Sequence, residues 1–184
     1  MTEITTILQN APQSLVDKLK DIKLLALDVD GVLSDGTLYF SANGDEIKGF
    51  SILDGLGIKL LQDNGIIVAI ITGRSSPLTS RRAENLGIKH IAQGREDKKI
   101  ALLELCRQLN LALEDCAYVG DDLPDLSAIR ACSAGFTVPN AHWFVRQHAD
   151  YCTQSPGGQG AVREVCDLIL SSQGKLQTAL EAYL

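Results

Sequence analysis

Short apolar runs of strand length alternate with segments of helical periodicity along most of this 184-residue chain, and that alternation sets the fold class. Residues 24–27, 66–71, 117–119 and 135–138 are strand-length and largely apolar, as suits strands buried on both faces. Between them, 57–64, 77–86, 98–110 and 123–131 read as helices. The clearest is 98–110, where Ile100, Ala101, Leu103, Leu105 and Leu109 make a broad apolar stripe. Repeated β and α elements imply an α/β fold with a mainly parallel sheet flanked by helices. No repeat, low-complexity segment or linker divides the chain, so one domain over 1–184 is expected, burying roughly two-thirds of its unfolded surface.

Two segments break the rhythm. Residues 37–50 read as a β-hairpin turning at Asn43-Gly44, too small for a cap domain and placed to project as a flap. Ser155-Pro-Gly-Gly-Gln-Gly reads as a flexible turn leading into a helix over 161–171, with a weakly amphipathic tail over 173–184.

Composition narrows the function classes. A net charge of −6 with scattered Lys and Arg gives no nucleic-acid footprint. No apolar stretch reaches membrane-spanning length, and Met1 to Asn10 is polar, with no secretory pattern. Five cysteines without CxxC spacing read as reduced thiols in a cytoplasmic protein. His90, His142 and His148 lack metal-ligand spacing and read as structural or surface residues.

The chemistry-bearing residues follow the strands. Asp28-Val-Asp30-Gly31 comes directly after 24–27, so two carboxylates arrive at the carboxyl end of a central strand, where open α/β sheets place ligands. Crowded acids need a cation or a retained proton. A divalent metal, or a nucleophile with a general acid, satisfies that need; so does a simple acidic turn. Gly120-Asp121-Asp122-Leu-Pro-Asp125 repeats the setting after 117–119, and oxygen-only ligands of this kind suit Mg²⁺. Asp122 or Asp125 alone is equally a helix cap. Thr72-Gly73-Arg74 ends a third strand and can hold phosphate oxygens, although ordinary turns look the same. Lys98 opens a helix, either as a solvated charge or as a point charge for phosphate.

Together, Asp-x-Asp-Gly, Thr-Gly-Arg, Lys and Gly-Asp-Asp-x-x-Asp resemble the four signature motifs of the haloacid dehalogenase superfamily of phosphohydrolases. The resemblance implies a Rossmann-like core in which Asp28 forms an aspartyl-phosphate and Asp30 is general acid, then base. It implies Mg²⁺ on Asp28, the Asp30 carbonyl and Asp121, with Asp122 in support, and phosphate held by Thr72, Gly73 and Lys98. The hairpin, Phe50-Ser-Ile-Leu-Asp54-Gly55-Leu-Gly57, Ile70-Ile-Thr-Gly-Arg74 and Gly157-Gly-x-Gly-Ala-Val-Arg-Glu164 are similar to the 3-deoxy-D-manno-octulosonate 8-phosphate phosphatase family. That likeness implies a capless homotetramer in lipopolysaccharide precursor synthesis, with hairpins assembled together and sites completed by neighbouring subunits. It also implies that the C-terminal tail reaches a neighbour's site. Ser51, Asp54, Gly55, Lys59, Arg74 and Arg82 become candidate contacts to a sugar acid phosphate. Two alternatives stand: a phosphatase for a nine-carbon sialic-type acid, or a catalytically silent assembly module, against which the full motif set argues. A phosphoacceptor receiver domain is excluded by motif order, since its lysine comes last.

Overall fold

Leu24–Leu27 forms β1, and all four side chains are buried. In a computed structural model of the chain, β1 sits inside a six-stranded sheet whose neighbouring strands are all parallel. The structure describes Leu8 and residues 11–184; apart from Leu8, the polar stretch 1–10 lies outside the described residues. β4 (Ile67–Ile71) and β6 (Cys116–Val119) flank β1, with Leu27 opposite Ile70 on one side and Val119 on the other. β5 (His90–Ala92) lies beyond β4, and β7 (Ala134–Thr137) then β8 (Tyr151–Cys152) lie beyond β6. The chain thus builds outward on one side of β1, then returns to build on the other. This reversal opens a crevice at the carboxyl ends of β4, β1 and β6.

Both sheet faces are covered. Leu25 and Leu27 point into the larger apolar cluster, which takes in α1 (Gln13–Leu19), α2 (Ile52–Asp63), α3 (Pro77–Leu86) and α7 (Ala161–Ser172). Leu24 and Ala26 point the other way, against α4 (Lys98–Leu109) and α5 (Leu126–Ile129). The period-2 alternation of a strand sorts β1 between two cores, so neither face can be polar.

Local chemistry sets the helix ends. Ser76 caps α3 with Pro77 as the next residue, and Gly87 ends it at φ 71°. α2 begins at Ile52 rather than 57, because Ser51 supplies the cap and Gly55 and Gly57 are absorbed by close packing. The helix expected over 123–131 is a 3₁₀ turn, Leu123–Asp125, followed by the single-turn α5. Part of the tail is also helical: Leu176–Glu181 forms α8 and buries Leu176. Two edge strands, β5 and β8, and two helices, α1 and α6 (Trp143–His148), have no counterpart in the sequence reading.

The hairpin forms as expected: β2 (Tyr39–Phe40) pairs antiparallel with β3 (Glu46–Ile47), and Gly44 at φ 85° makes the turn. The Gly-rich turn, expected to be flexible, is instead packed. A Cβ on Gly157 would collide with the Gly31 carbonyl, and one on Gly158 would meet the backbone of Ser34. Asn140 ties the two loops, accepting from Gly157 N at 2.8 Å and donating to Gly31 O at 3.3 Å.

Candidate active site

The strand ends meet at one cavity of about 280 Å³. Its lining includes Asp28, Asp30, Thr72, Gly73, Arg74, Lys98, Asp121, Asp122 and Asp125. A larger cavity, about 360 Å³, lies by Leu53, Gln159, Arg163 and Asp167 and holds none of these residues. Asp28 leaves β1 with its N–H bonded to Val119 O at 3.0 Å, which fixes it between the ends of β1 and β6. Gly31, at φ 92°, turns the chain where any side chain would strike the Asp121 carboxylate.

Lys98 links the elements. Its ammonium donates to Asp28 Oδ1 at 2.5 Å and to the Ile71 carbonyl at 2.9 Å, and it lies 3.1 Å from Asp125 Oδ1. A lysine with a side chain only 3% exposed is the neutralising charge of the site rather than a solvated one. Burial pulls its pKa down, but the Asp28 and Asp125 charges prevail and hold it above the ordinary lysine value.

Asp125 is a buttress. Tyr118 Oη donates to its Oδ1 at 2.8 Å, and the backbone N–H groups of Asp121 and Asp122 donate to its Oδ2 at 3.1 and 3.3 Å. Asp122 is exposed and its carboxylate accepts from Leu123 N at 2.8 Å, capping the 3₁₀ turn. Among the described residues, the carboxylates that converge are those of Asp28, Asp121 and Asp125, each offering an oxygen within 4.8 Å of the others. Burial, then the Asp125 charge, pushes Asp28 up to about 7 against the opposing pull of Lys98. Burial first, then Asp28, Asp125 and Asp122, pushes Asp121 up to about 8. No hydrogen-bond donor reaches the Asp121 carboxylate among the described residues. One lysine for three clustered acids leaves a charge deficit, and an all-oxygen donor set fits a hard divalent cation.

The hairpin closes the other side. Lys48, with a side chain 1% exposed, pairs with Asp30 Oδ1 and lies 3.5 Å from Glu46 Oε1. Arg74 Nε lies 3.6 Å from Asp30 Oδ2, while its Nη2 donates to Glu46 Oε1 at 2.9 Å. Ser76 Oγ donates to Glu46 Oε2 at 2.9 Å. The Ser76 bond, with Arg74 and Lys48 in support, outweighs desolvation and holds the Glu46 carboxyl below the usual range. The flap is therefore latched to the loop after β4 by charge pairs inside one chain.

Comparison with known proteins agrees with this geometry. A family model of haloacid dehalogenase-like hydrolases matches residues 52–133. The 3-deoxy-D-manno-octulosonate 8-phosphate phosphatase of Escherichia coli K12 is 48% identical over 165 residues, covering 90% of this chain and 88% of that protein. The chain belongs to this phosphatase family. A crystal structure of the Moraxella catarrhalis family member, in complex with a magnesium ion, a phosphate ion and KDO, superposes with a TM-score of 0.92. It is 49% identical, covering 94% of this chain and 99% of that one. The cobalt-bound Haemophilus influenzae member gives 0.84 at 45% identity, covering 88% and 94%.

Members of this family act on a sugar acid phosphate by name, yet most sugar contacts expected here lie away from the cavity. Of the six, Arg74 lines it. Asp54 is buried, and its carboxylate accepts from Gly160 N at 3.3 Å and Arg163 N at 2.8 Å, holding the start of α7. Ser51 caps α2, and its carbonyl accepts from Arg82 Nη2 at 2.8 Å. Arg82 stacks over Phe50, with its carbon 5.6 Å from the ring centre. Gly55 makes room for that guanidinium, since a Cβ there would sit 2.5 Å from Nη2. Lys59 is exposed on α2. Conversely, sequence reasoning passed over Lys48 and Glu46. Their only signal was a same-face pair of opposite charges on the return strand of a hairpin that follows the acidic loop.

Proposed function

We propose that this protein hydrolyses 3-deoxy-D-manno-octulosonate 8-phosphate to the free sugar acid and phosphate, a step in lipopolysaccharide precursor synthesis. The observation that carries the reading is one buried ammonium shared by Asp28 and Asp125 at the ends of β1 and β6, with Asp121 beside them. A carboxylate so placed is a nucleophile held against its neutralising charge.

Asp28 attacks phosphorus; the new Asp28–phosphorus bond forms as the bond to the sugar oxygen breaks. Asp30 gives its proton to that leaving oxygen. It then takes a proton from the water that attacks the aspartyl-phosphate, releasing phosphate and restoring Asp28. Thr72, the backbone at Gly73 and Lys98 hold the phosphoryl oxygens throughout. Asp28, Asp121 and the Asp30 carbonyl would hold Mg²⁺, with Asp122 and Asp125 in support. Bound there, the ion neutralises charge gathering on the phosphoryl group.

The working form is proposed to be a cytoplasmic homotetramer of 1–184 domains. Exposed Tyr39, Phe40 and Ile47 on the hairpin favour association with further copies of the chain. Five free cysteines favour a reducing compartment, and no described helix is long and apolar enough to cross a membrane. Ser51, Asp54, Gly55, Lys59 and Arg82, remote from their own chain's cavity, are assigned to sugar recognition across subunits, Asp54 and Gly55 by shaping that surface. Phosphate release from a panel of sugar phosphates, with and without Mg²⁺, tests the reading. Metal-dependent preference for the octulosonate ester supports it. Preference for a nine-carbon acid corrects the substrate, and a folded, inactive oligomer favours an assembly module.

A further inference from the structure

The hairpin is more than a cover. Lys48 follows β3 directly, and its side chain is almost wholly removed from solvent. A lysine so desolvated must be paired, and its principal partner is the Asp30 carboxylate. Glu46, held by Arg74 and Ser76, pins the strand that carries Lys48 to the loop after β4. Among the described residues, the other oxygen of Asp30 has only the more distant Arg74 Nε, at 3.6 Å. One oxygen of this cavity-lining carboxylate is thus gripped and the other held only loosely. A carboxyl group that gives a proton to a leaving oxygen has to be held in reach of it, and a loop alone does not do so.

We propose that Lys48 is a positioning residue for Asp30, gripping one carboxylate oxygen so that the other is presented to the leaving group. The hairpin thereby belongs to the proton-transfer apparatus as well as covering the site. This inference rests on the phosphatase reading above, with Asp30 as the proton donor.

The test uses aryl phosphates whose phenols range from weak to strong acids, none carrying a sugar or a carboxylate. kcat/KM is measured for the wild-type chain, Lys48→Met and Lys48→Arg, with folding and oligomeric state checked for each. Lys48→Met is expected to lose about 100-fold on phenyl phosphate and less than about threefold on p-nitrophenyl phosphate, whose leaving group departs unaided. Lys48→Arg is expected to keep the wild-type leaving-group dependence. Should the Met variant not fold, Lys48→Gln reads the same slope. Equal losses along the series would make Lys48 merely structural, and a loss confined to octulosonate 8-phosphate would make it a sugar contact; either result overturns the proposal. A wild-type chain that hydrolyses neither any member of the series nor the octulosonate ester overturns the phosphatase reading and this inference with it.

Discussion

The floor and the rim of the cavity are made of different material. The floor consists of side chains at strand ends and at the first turn of α4: Asp28, Thr72, Lys98, Asp121 and Asp125, with Asp28 and Asp125 cross-linked through Lys98 and Asp125 also bonded to the Asp121 backbone. The rim on the hairpin side consists of Asp30, Glu46, Lys48 and Arg74, joined by ion pairs between the hairpin's return strand and the loops after β1 and β4. Sheet-borne groups are placed by the core and need little else, which suits phosphoryl chemistry that varies little between substrates. Groups on a ribbon are placed by one another, and five of the six expected sugar contacts lie outside the cavity altogether. Phosphoryl chemistry is gathered within the chain's own cavity, and the proposal above leaves sugar recognition to neighbouring copies.

The largest effect that would sharpen this contrast comes from the floor. Asp28→Asn should remove at least about 10⁴-fold of kcat while the circular dichroism spectrum stays native, because an amide forms no acyl-phosphate. Retained turnover would remove Asp28 as nucleophile. Lys98→Met should cost activity by about 10²- to 10³-fold and, in metal-free protein, destabilise the fold by roughly 3 kcal/mol, since buried Asp28 and Asp125 lose their partner. Urea titration reads the second number, and unchanged stability would show that the acids are paired elsewhere.

Next in size is a pH effect on stability. Asp28 and Asp121 are raised to about 7 and about 8, so the folded, metal-free chain binds protons that the unfolded chain has released. Their contribution is complete below about pH 4 and is lost as pH rises through 7 to 8. Melting temperature without metal should therefore fall between pH 5.5 and 8.5, and added Mg²⁺ should raise it more at 8.5 than at 5.5. An equal rise at both pH values would place the ion away from these carboxylates.

The smallest effects belong to the exposed apolar face of the hairpin. Replacing Phe40 and Ile47 by Ser should shift the oligomer toward smaller species in sedimentation. KM for the octulosonate ester should then rise several-fold while p-nitrophenyl phosphate turnover stays near wild type. If both substrates suffer equally, floor and rim are not separable in this way.

The same contrast explains what the sequence made legible. β1 and α3 were read to the residue, because a buried strand writes itself as an apolar run and a Ser-Pro start with a Gly stop brackets a helix. Asp28, Thr72, Lys98 and Asp121 were visible because each follows a strand, Asp121 after one glycine, or opens a helix. β5 and β8 were not, being edge strands of three and two residues with no apolar run of their own. Whether Asp122 or Asp125 turns inward is decided by the 3₁₀ turn at Pro124, which spacing alone does not reveal. Lys48 reaches Asp30 across 18 residues through the fold of the hairpin, a contact that no local pattern encodes.

The central claim is that Asp28 itself carries the phosphoryl group. Its most direct test is rapid quenching of the Mg²⁺-loaded protein with octulosonate 8-phosphate labelled at phosphorus, followed by peptide mapping. The account predicts one transient acid-stable label on the peptide containing Asp28, absent from Asp28→Asn. Turnover with no label on that peptide, or with label on another residue, would contradict it.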